Sequence, residues 1–141
     1  MRLWHQGLIA SLPRQQLLGQ HRECCGLRGN GWNKKHKTIN YIFKYNPYLL
    51  YLYHLVVMIE MTKRKYKIDK KWTDPRYRGK KCIAWDLNRF DYFENDVKHE
   101  NYKKYWFYYQ EHNDDYLKEC LKNLEDKGII INKLKIKENY K

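Results

Sequence analysis

The sequence predicts an all-α fold: a compact single domain of helices joined by basic loops. Three observations carry that expectation. Three segments repeat apolar residues at three-to-four spacing over helical lengths. Glycine-rich or proline-containing stretches, at 26–31, at Pro47, at 75–79 and at Gly128, separate these segments. No βαβ array, glycine-rich phosphate loop or long internal repeat interrupts the pattern. A chain of 141 residues suits one core, so residues 1–141 are read as a single domain, with 129–141 as a candidate basic tail.

The elements follow in order. Residues 1–10, MRLWHQGLIA, are apolar enough to pack against the rest of the chain. Ser11 suits a helix N-cap, and Pro13 is tolerated in a first turn. A helix is expected from Leu12 to Cys25, with Leu17, Leu18, His21, Cys24 and Cys25 on one face. Gly26, Gly29 and Gly31 end it in a basic loop, GLRGNGWNKKHK. A short segment, TINYIFKYNP, stops at Pro47. A core helix from Tyr48 to Arg64 carries Leu49, Leu52, Leu55, Val56 and Ile59 as its apolar stripe, and Lys63, Arg64 and Lys65 suit its C-terminus. Residues 67–81 read as a loop, and 82–110 as shorter helical pieces rich in aromatics. A last helix from Asn113 to Lys127 presents Tyr116, Leu117, Cys120, Leu121 and Leu124, and Gly128 suits a left-handed stop. Residues 129–141 read as a strand or a basic tail.

Charge narrows the partners. The net charge is +13 at pH 7, which favours a polyanion, nucleic acid before membrane. The charge is also segregated. Residues 63–81 hold ten Lys or Arg against Asp69 and Asp74, whereas 86–126 hold eleven acids against six bases. The longest apolar run is interrupted by His54 and is too short to span a bilayer. No secretory signal opens the chain, and the four cysteines form no CxxC pair, so free thiols in a reducing cytoplasm are expected. His21 with Cys24 and Cys25 is the nearest approach to a metal cluster. Adjacent cysteines rarely ligate one tetrahedral ion together, so no metal is expected there.

Two groups stand out chemically. Glu23 is the only carboxylate in the first 59 residues, among eight Lys or Arg. It is either a helix-surface residue or a catalytic carboxylate among cations, which hold it ionised. Arg22 and Glu23 diverge by about 100 degrees on a helix and are poorly placed to pair. The second group is the α-amine of Met1. Its reference pKa of about 7.7–8.0 makes an α-amine a usable nucleophile for Schiff-base chemistry where a lysine amine is protonated. The runs Arg28, Lys34, Lys35, Lys37 and Arg76, Arg78 combine cations with glycine amides, as phosphate sites do. The segment YKKYWFYYQ, 102–110, offers either stacking surfaces for bases or aromatic core.

Residues 1–25, MRLWH followed by LIASLPRQQLLGQHRE, resemble the pyrimidine-dimer DNA glycosylase family: an early arginine beside an aliphatic residue, spaced leucines, a glutamine, then Arg-Glu in the first long helix. A weaker resemblance continues to about residue 80 through YNPY, EMTKRKYKI and YRGK. It implies an all-α domain without metal or cofactor, acting as a monomer on damaged double-stranded DNA. By position, Met1 supplies an amine that attacks C1′ of the damaged nucleotide, and Glu23 is the catalytic carboxylate. Arg2 and Arg22 would hold phosphates near the lesion, and the resulting imine would permit strand nicking by β-elimination. Bound to DNA, such a protein would sit with the nucleoid. A histidine of the family pattern falls on Gln16, and an arginine expected after the glutamate falls on Gly26, with Arg28 as the nearest substitute. The alternative is a non-catalytic nucleic-acid-binding domain on the same scaffold.

Overall fold

The computed structural model describes residues 1–90 and 107–131. Among them there are helices and no strand, as expected. A 3-10 turn at Gln6–Ser11 precedes helix α1, Arg14–Arg28. A second 3-10 turn, Asn40–Lys44, leads to helix α2, Pro47–Lys63. Further 3-10 turns lie at Lys70–Thr73 and Leu87–Phe90, and helix α3 spans Asp114–Asp126. No helix of the described residues is long and apolar enough to cross a membrane. The aromatic stretch 91–106 and the tail from 132 lie outside the described residues.

Helix α1 differs from expectation at both ends. Ser11 closes the preceding 3-10 turn and does not cap α1, whose N-cap is Pro13 without a side-chain bond. Proline's fixed φ presets the chain for helix entry, so the missing cap is tolerated. Gly26 lies inside the helix, and Gly29 terminates it, its N–H donating to the carbonyls of Cys25 and Gly26. Glycine is required at that exit by crowding. A Cβ on Gly29 would sit 2.9 Å from the Arg78 carbonyl oxygen, and one on Gly31 2.8 Å from that of Gly26.

Helix α2 starts where Asn46 accepts a hydrogen bond from the Tyr48 N–H, with Pro47 in the first turn. Its buried positions are Pro47, Leu49, Leu50, Tyr51, Tyr53, His54, Val57, Met58 and Met61. The expected stripe was rotated: Ile59 is 49% exposed, and Leu52, Leu55 and Val56 are only partly buried. The cause is a helix apolar on nearly every side, so spacing alone does not say which face is innermost. At its end Arg64 donates to the carbonyls of Leu12 and Ala10, tying α2 to the turn before α1.

Helix α3 matches its pattern closely. Asn113 accepts from the Tyr116 N–H, and Cys120 and Leu124 are buried. Gly128 takes φ +81°, and the Ile129 N–H returns to the Leu124 carbonyl, a left-handed stop. Leu17, Cys24 and Leu27 of α1, Leu49, Leu50, Tyr53 and Val57 of α2, and Cys120 and Leu124 of α3 share one core with Leu3 and Trp4. Leu3 and Trp4 therefore anchor the N-terminal segment in the core.

Candidate active-site cleft

Side chains fix the N-terminal segment residue by residue. Thr38 donates to the Met1 carbonyl. The Gln20 amide donates to the Arg2 carbonyl and accepts from the Trp4 N–H at 2.6 Å. The Tyr116 hydroxyl donates to the Leu3 carbonyl, and the Tyr53 hydroxyl to the Trp4 carbonyl. The carbonyls of four consecutive residues, and the Trp4 N–H, are thus paired from α1, α2, α3 and the Thr38 loop. Such groups cannot be buried unpaired without cost.

The clamp places Met1 beside Glu23. Both line a cleft of about 360 Å³, with Arg2, Gln16, Gly19 and Gln20 among its walls. Gln16, Gly19, Gln20 and Glu23 follow helical spacing, so one face of α1 forms the floor. His36 and Thr38 border it from the loop, and Asn123 and Lys127 from the end of α3. Met1 is 54% exposed, which leaves its terminal group reachable from solvent.

Glu23 is half-buried, and its Oε2 is enclosed without a hydrogen-bond partner. Burial raises its carboxyl above the ordinary range. The Met1 ammonium, the Arg2 backbone N–H, His36 and Lys127 pull it back down, and burial prevails. The cations favour the ionised form, as expected, but desolvation outweighs them in the net direction. A carboxyl raised in this way moves toward the range in which it can give as well as take a proton.

The other expected residues separate into two groups. Arg22 lies exposed on α1, and Lys34, Lys35 and Lys37 are exposed on the loop. Arg2 is half-buried, 3.6 Å from Glu119, with its guanidinium 5.8 Å from the Trp4 ring centre. Arg28, expected at a phosphate, is wholly buried instead. It donates to the carbonyls of Trp72, Asp74 and Tyr77 and to Nδ1 of His54, and it lies over the Trp72 ring. Its donors close the 70–78 loop on the helix pair, and no surface remains for a phosphate. Arg78 is half-buried, donating to the carbonyls of Arg28 and Gly29 and stacking on Trp85. Arg76 is half-buried as well and donates to the Trp85 carbonyl.

A histidine cluster was only half visible in the sequence. His21 and Cys25 meet His54 of α2, their ligand atoms within 4.8 Å of one another. Arg28 determines what this trio can do. Its guanidinium only donates, so His54 Nδ1 accepts and the ring proton sits on Nε2. That proton points at His21 Nδ1, 2.8 Å away, which places the His21 proton on Nε2, 3.8 Å from Cys25 Sγ. A metal on His54 Nε2 would need the proton on Nδ1, against the Arg28 donor. The trio is therefore a directed hydrogen-bond chain, and its geometry opposes metal ligation. Cys24 and Cys25 do not act together: Cys24 is buried in the core on the other side of α1.

Sequence reasoning missed Gln20, His36, Thr38, Tyr53, Tyr116, Asn123 and Lys127. Gln20 was accessible from spacing, because it precedes Glu23 by three positions on the same helix face. The rest arrive through tertiary contacts across long separations.

The arrangement is an N-terminal amine and a carboxyl sharing one cleft on a basic helical protein. A model of the family described as pyrimidine dimer DNA glycosylase matches residues 1–74, more than half of the chain. The chain belongs to this family. The match contains the N-terminal segment, all of α1 and α2, Glu23, and the Thr38 loop; α3 lies beyond it. No curated protein and no solved structure matches the chain.

Proposed function

We propose that this glycosylase-family chain excises damaged pyrimidines from duplex DNA and nicks the resulting abasic site through an imine on Met1. The observation that carries the reading is the clamp on residues 1–4, which supports the α-amine beside Glu23 in a cleft open to solvent. Orientation of this kind supplies much of the advantage of an intramolecular reaction.

The unprotonated amine attacks C1′ of the damaged nucleotide, and the glycosidic bond breaks as the base leaves with its electron pair. Glu23 in its protonated form delivers a proton to the departing base. Loss of an amine proton and opening of the sugar ring convert the adduct into an imine. The Glu23 carboxylate then removes a proton from C2′, the electrons pass toward the imine, and the 3′ phosphate leaves by β-elimination. Water hydrolyses the remaining imine and frees the amine. Arg22, Lys34, Lys35 and Lys37, all exposed, hold the DNA backbone. Arg2 lies deeper, at the cleft, for the phosphate beside the lesion.

Borohydride trapping on a duplex containing one abasic site tests this reading. A covalent adduct is expected with the chain bearing a free Met1 amine, and its loss on acetylation of that amine. Binding without any adduct overturns the catalytic reading and favours a non-catalytic DNA-binding domain.

A further inference from the structure

The second basic loop lies beyond the family-matched residues and lines no part of the Met1–Glu23 cleft. Two hydrogen bonds between one pair of residues close its base. The Trp85 N–H donates to the Arg76 carbonyl at 3.0 Å, and Arg76 Nε donates to the Trp85 carbonyl at 2.6 Å. Between them Gly79 takes φ +96° to turn the chain. The loop is also pinned to the exit of α1. Arg78 donates to the Arg28 and Gly29 carbonyls, and its guanidinium lies 4.6 Å from the Trp85 ring centre. Trp85 meets Trp32 edge-on at 5.7 Å, and Cys82 Sγ donates to Asn30 Oδ1 at 3.0 Å. A loop fixed by this many contacts loses little further freedom when it binds a partner.

What this frame presents to solvent is Lys80, Lys81 and Ile83. Ile83 is 90% exposed, and an apolar side chain of that size gains when a partner covers it. No carboxylate lies between Asp74 and Asp86, so the tip carries cations alone and favours an anionic partner. The first basic loop joins this tip to the cleft: Asn30 meets Cys82 at one end, and His36 borders the cleft at the other. Six residues of chain span at most about 21 Å, or about six base-pair steps of a duplex. The exposed Lys34 and Lys35 lie along that connection. A bilayer would take more apolar area than one isoleucine offers. The minor groove of a duplex fits better. Its sugar walls are apolar and its rims are phosphate, and proteins that enter it combine Lys or Arg with apolar side chains such as Ile.

We propose that the loop 79–83 is a second DNA-binding element, with Ile83 against the sugar walls of the minor groove and Lys80 and Lys81 on the phosphates at its edge. Arg76 and Arg78 position the loop from beneath. The assignment rests on duplex DNA as the substrate and adds a grip away from the reacting groups.

The test is binding of the full chain to an undamaged duplex and to a single strand of the same sequence, followed by fluorescence anisotropy at several salt concentrations. Ile83→Ala is expected to weaken duplex binding about tenfold, from apolar surface no longer covered. Its salt slope should match the parent's, and so should its affinity for the single strand, which offers no groove. Lys80→Gln combined with Lys81→Gln is expected to reduce the slope of log affinity against log salt by about two. All three positions are exposed, so the variants should melt with the parent. An Ile83→Ala variant that binds the duplex as the parent does, or that weakens on duplex and single strand equally, overturns the groove contact. An unchanged salt slope in the double lysine variant overturns the phosphate contacts. A chain that shows the expected binding pattern yet traps no adduct on an abasic duplex overturns the excision reading and upholds the loop assignment.

Discussion

The Thr38 hydroxyl donates a hydrogen bond to the Met1 carbonyl, linking the first residue of the chain to a loop that also brings His36 to the cleft. This is the outermost of the contacts that hold residues 1–4, and the one nearest the amine. Thr38→Val keeps the shape and removes the donor. The rate of imine formation on an abasic duplex should fall by about a factor of ten, the worth of one hydrogen bond used for positioning. Thr38 is exposed, so the melting temperature should stay the same within a degree or two. An unchanged trapping rate would show that the Gln20 contacts alone position the amine.

The exposed lysines and the buried arginine of the first basic run should separate cleanly on mutation. Replacing Lys34, Lys35 and Lys37 with Gln should leave stability alone and reduce the salt slope of DNA binding by about three. Arg28→Met instead leaves the Trp72, Asp74 and Tyr77 carbonyls without their donor. That should destabilise the fold by about 3–5 kcal/mol. Chemical denaturation and a binding titration at several salt concentrations measure both. A stable Arg28→Met protein with weakened DNA binding would return Arg28 to the interface.

Spacing made the helices legible, and Glu23 legible within α1, because each depends on residues within a few turns of one another. The end of α3 is the clearest instance: Asn113, Leu124 and Gly128 encode its start, face and stop locally. Arg28 was misread for the opposite reason. A basic run in sequence looks like surface, and only the fold brings three loop carbonyls and His54 around one guanidinium. The cleft was half legible. Glu23 and Met1 were visible as unusual chemistry, whereas Asn123 and Lys127 are about a hundred residues from Glu23 and carry no local signal.

Acid should unfold the protein early. His5 is held down to about 4, mainly by burial, and His54 and His112 are held well below their ordinary value, again by burial first. His112 is enclosed between the Gln6 N–H at Nδ1 and the Tyr41 hydroxyl at Nε2. A lowered histidine means that the unfolded chain binds the proton more readily. Stability is then complete above the unfolded value near pH 6.5, and is lost as the pH falls toward the folded value. His5 alone should cost about 2 kcal/mol between pH 7 and pH 5. Melting temperatures across that range should fall by several degrees, and a flat profile would contradict the neutral, buried assignment.

Glu23→Gln discriminates between a catalytic carboxyl and an ordinary helix residue. The substitution keeps the side chain's length and removes its ability to carry a proton between the base, C2′ and water. Base release and β-elimination should each fall by about a hundredfold. Affinity for DNA should hold or increase, since a negative charge leaves a surface that faces phosphates. Stability has a definite sign as well. Burial raises the Glu23 carboxyl, so the folded state favours the protonated form, and the ionised form is a burden that grows as the pH rises through the folded value. A neutral amide removes that burden, and the variant should melt at the same temperature as the parent or above it at pH 7. A surface glutamate would behave otherwise: nicking at the parental rate, with only a small change in melting temperature. Nicking rate, affinity and melting curve on this one variant therefore decide whether the enclosed Oε2 of Glu23 faces chemistry or solvent.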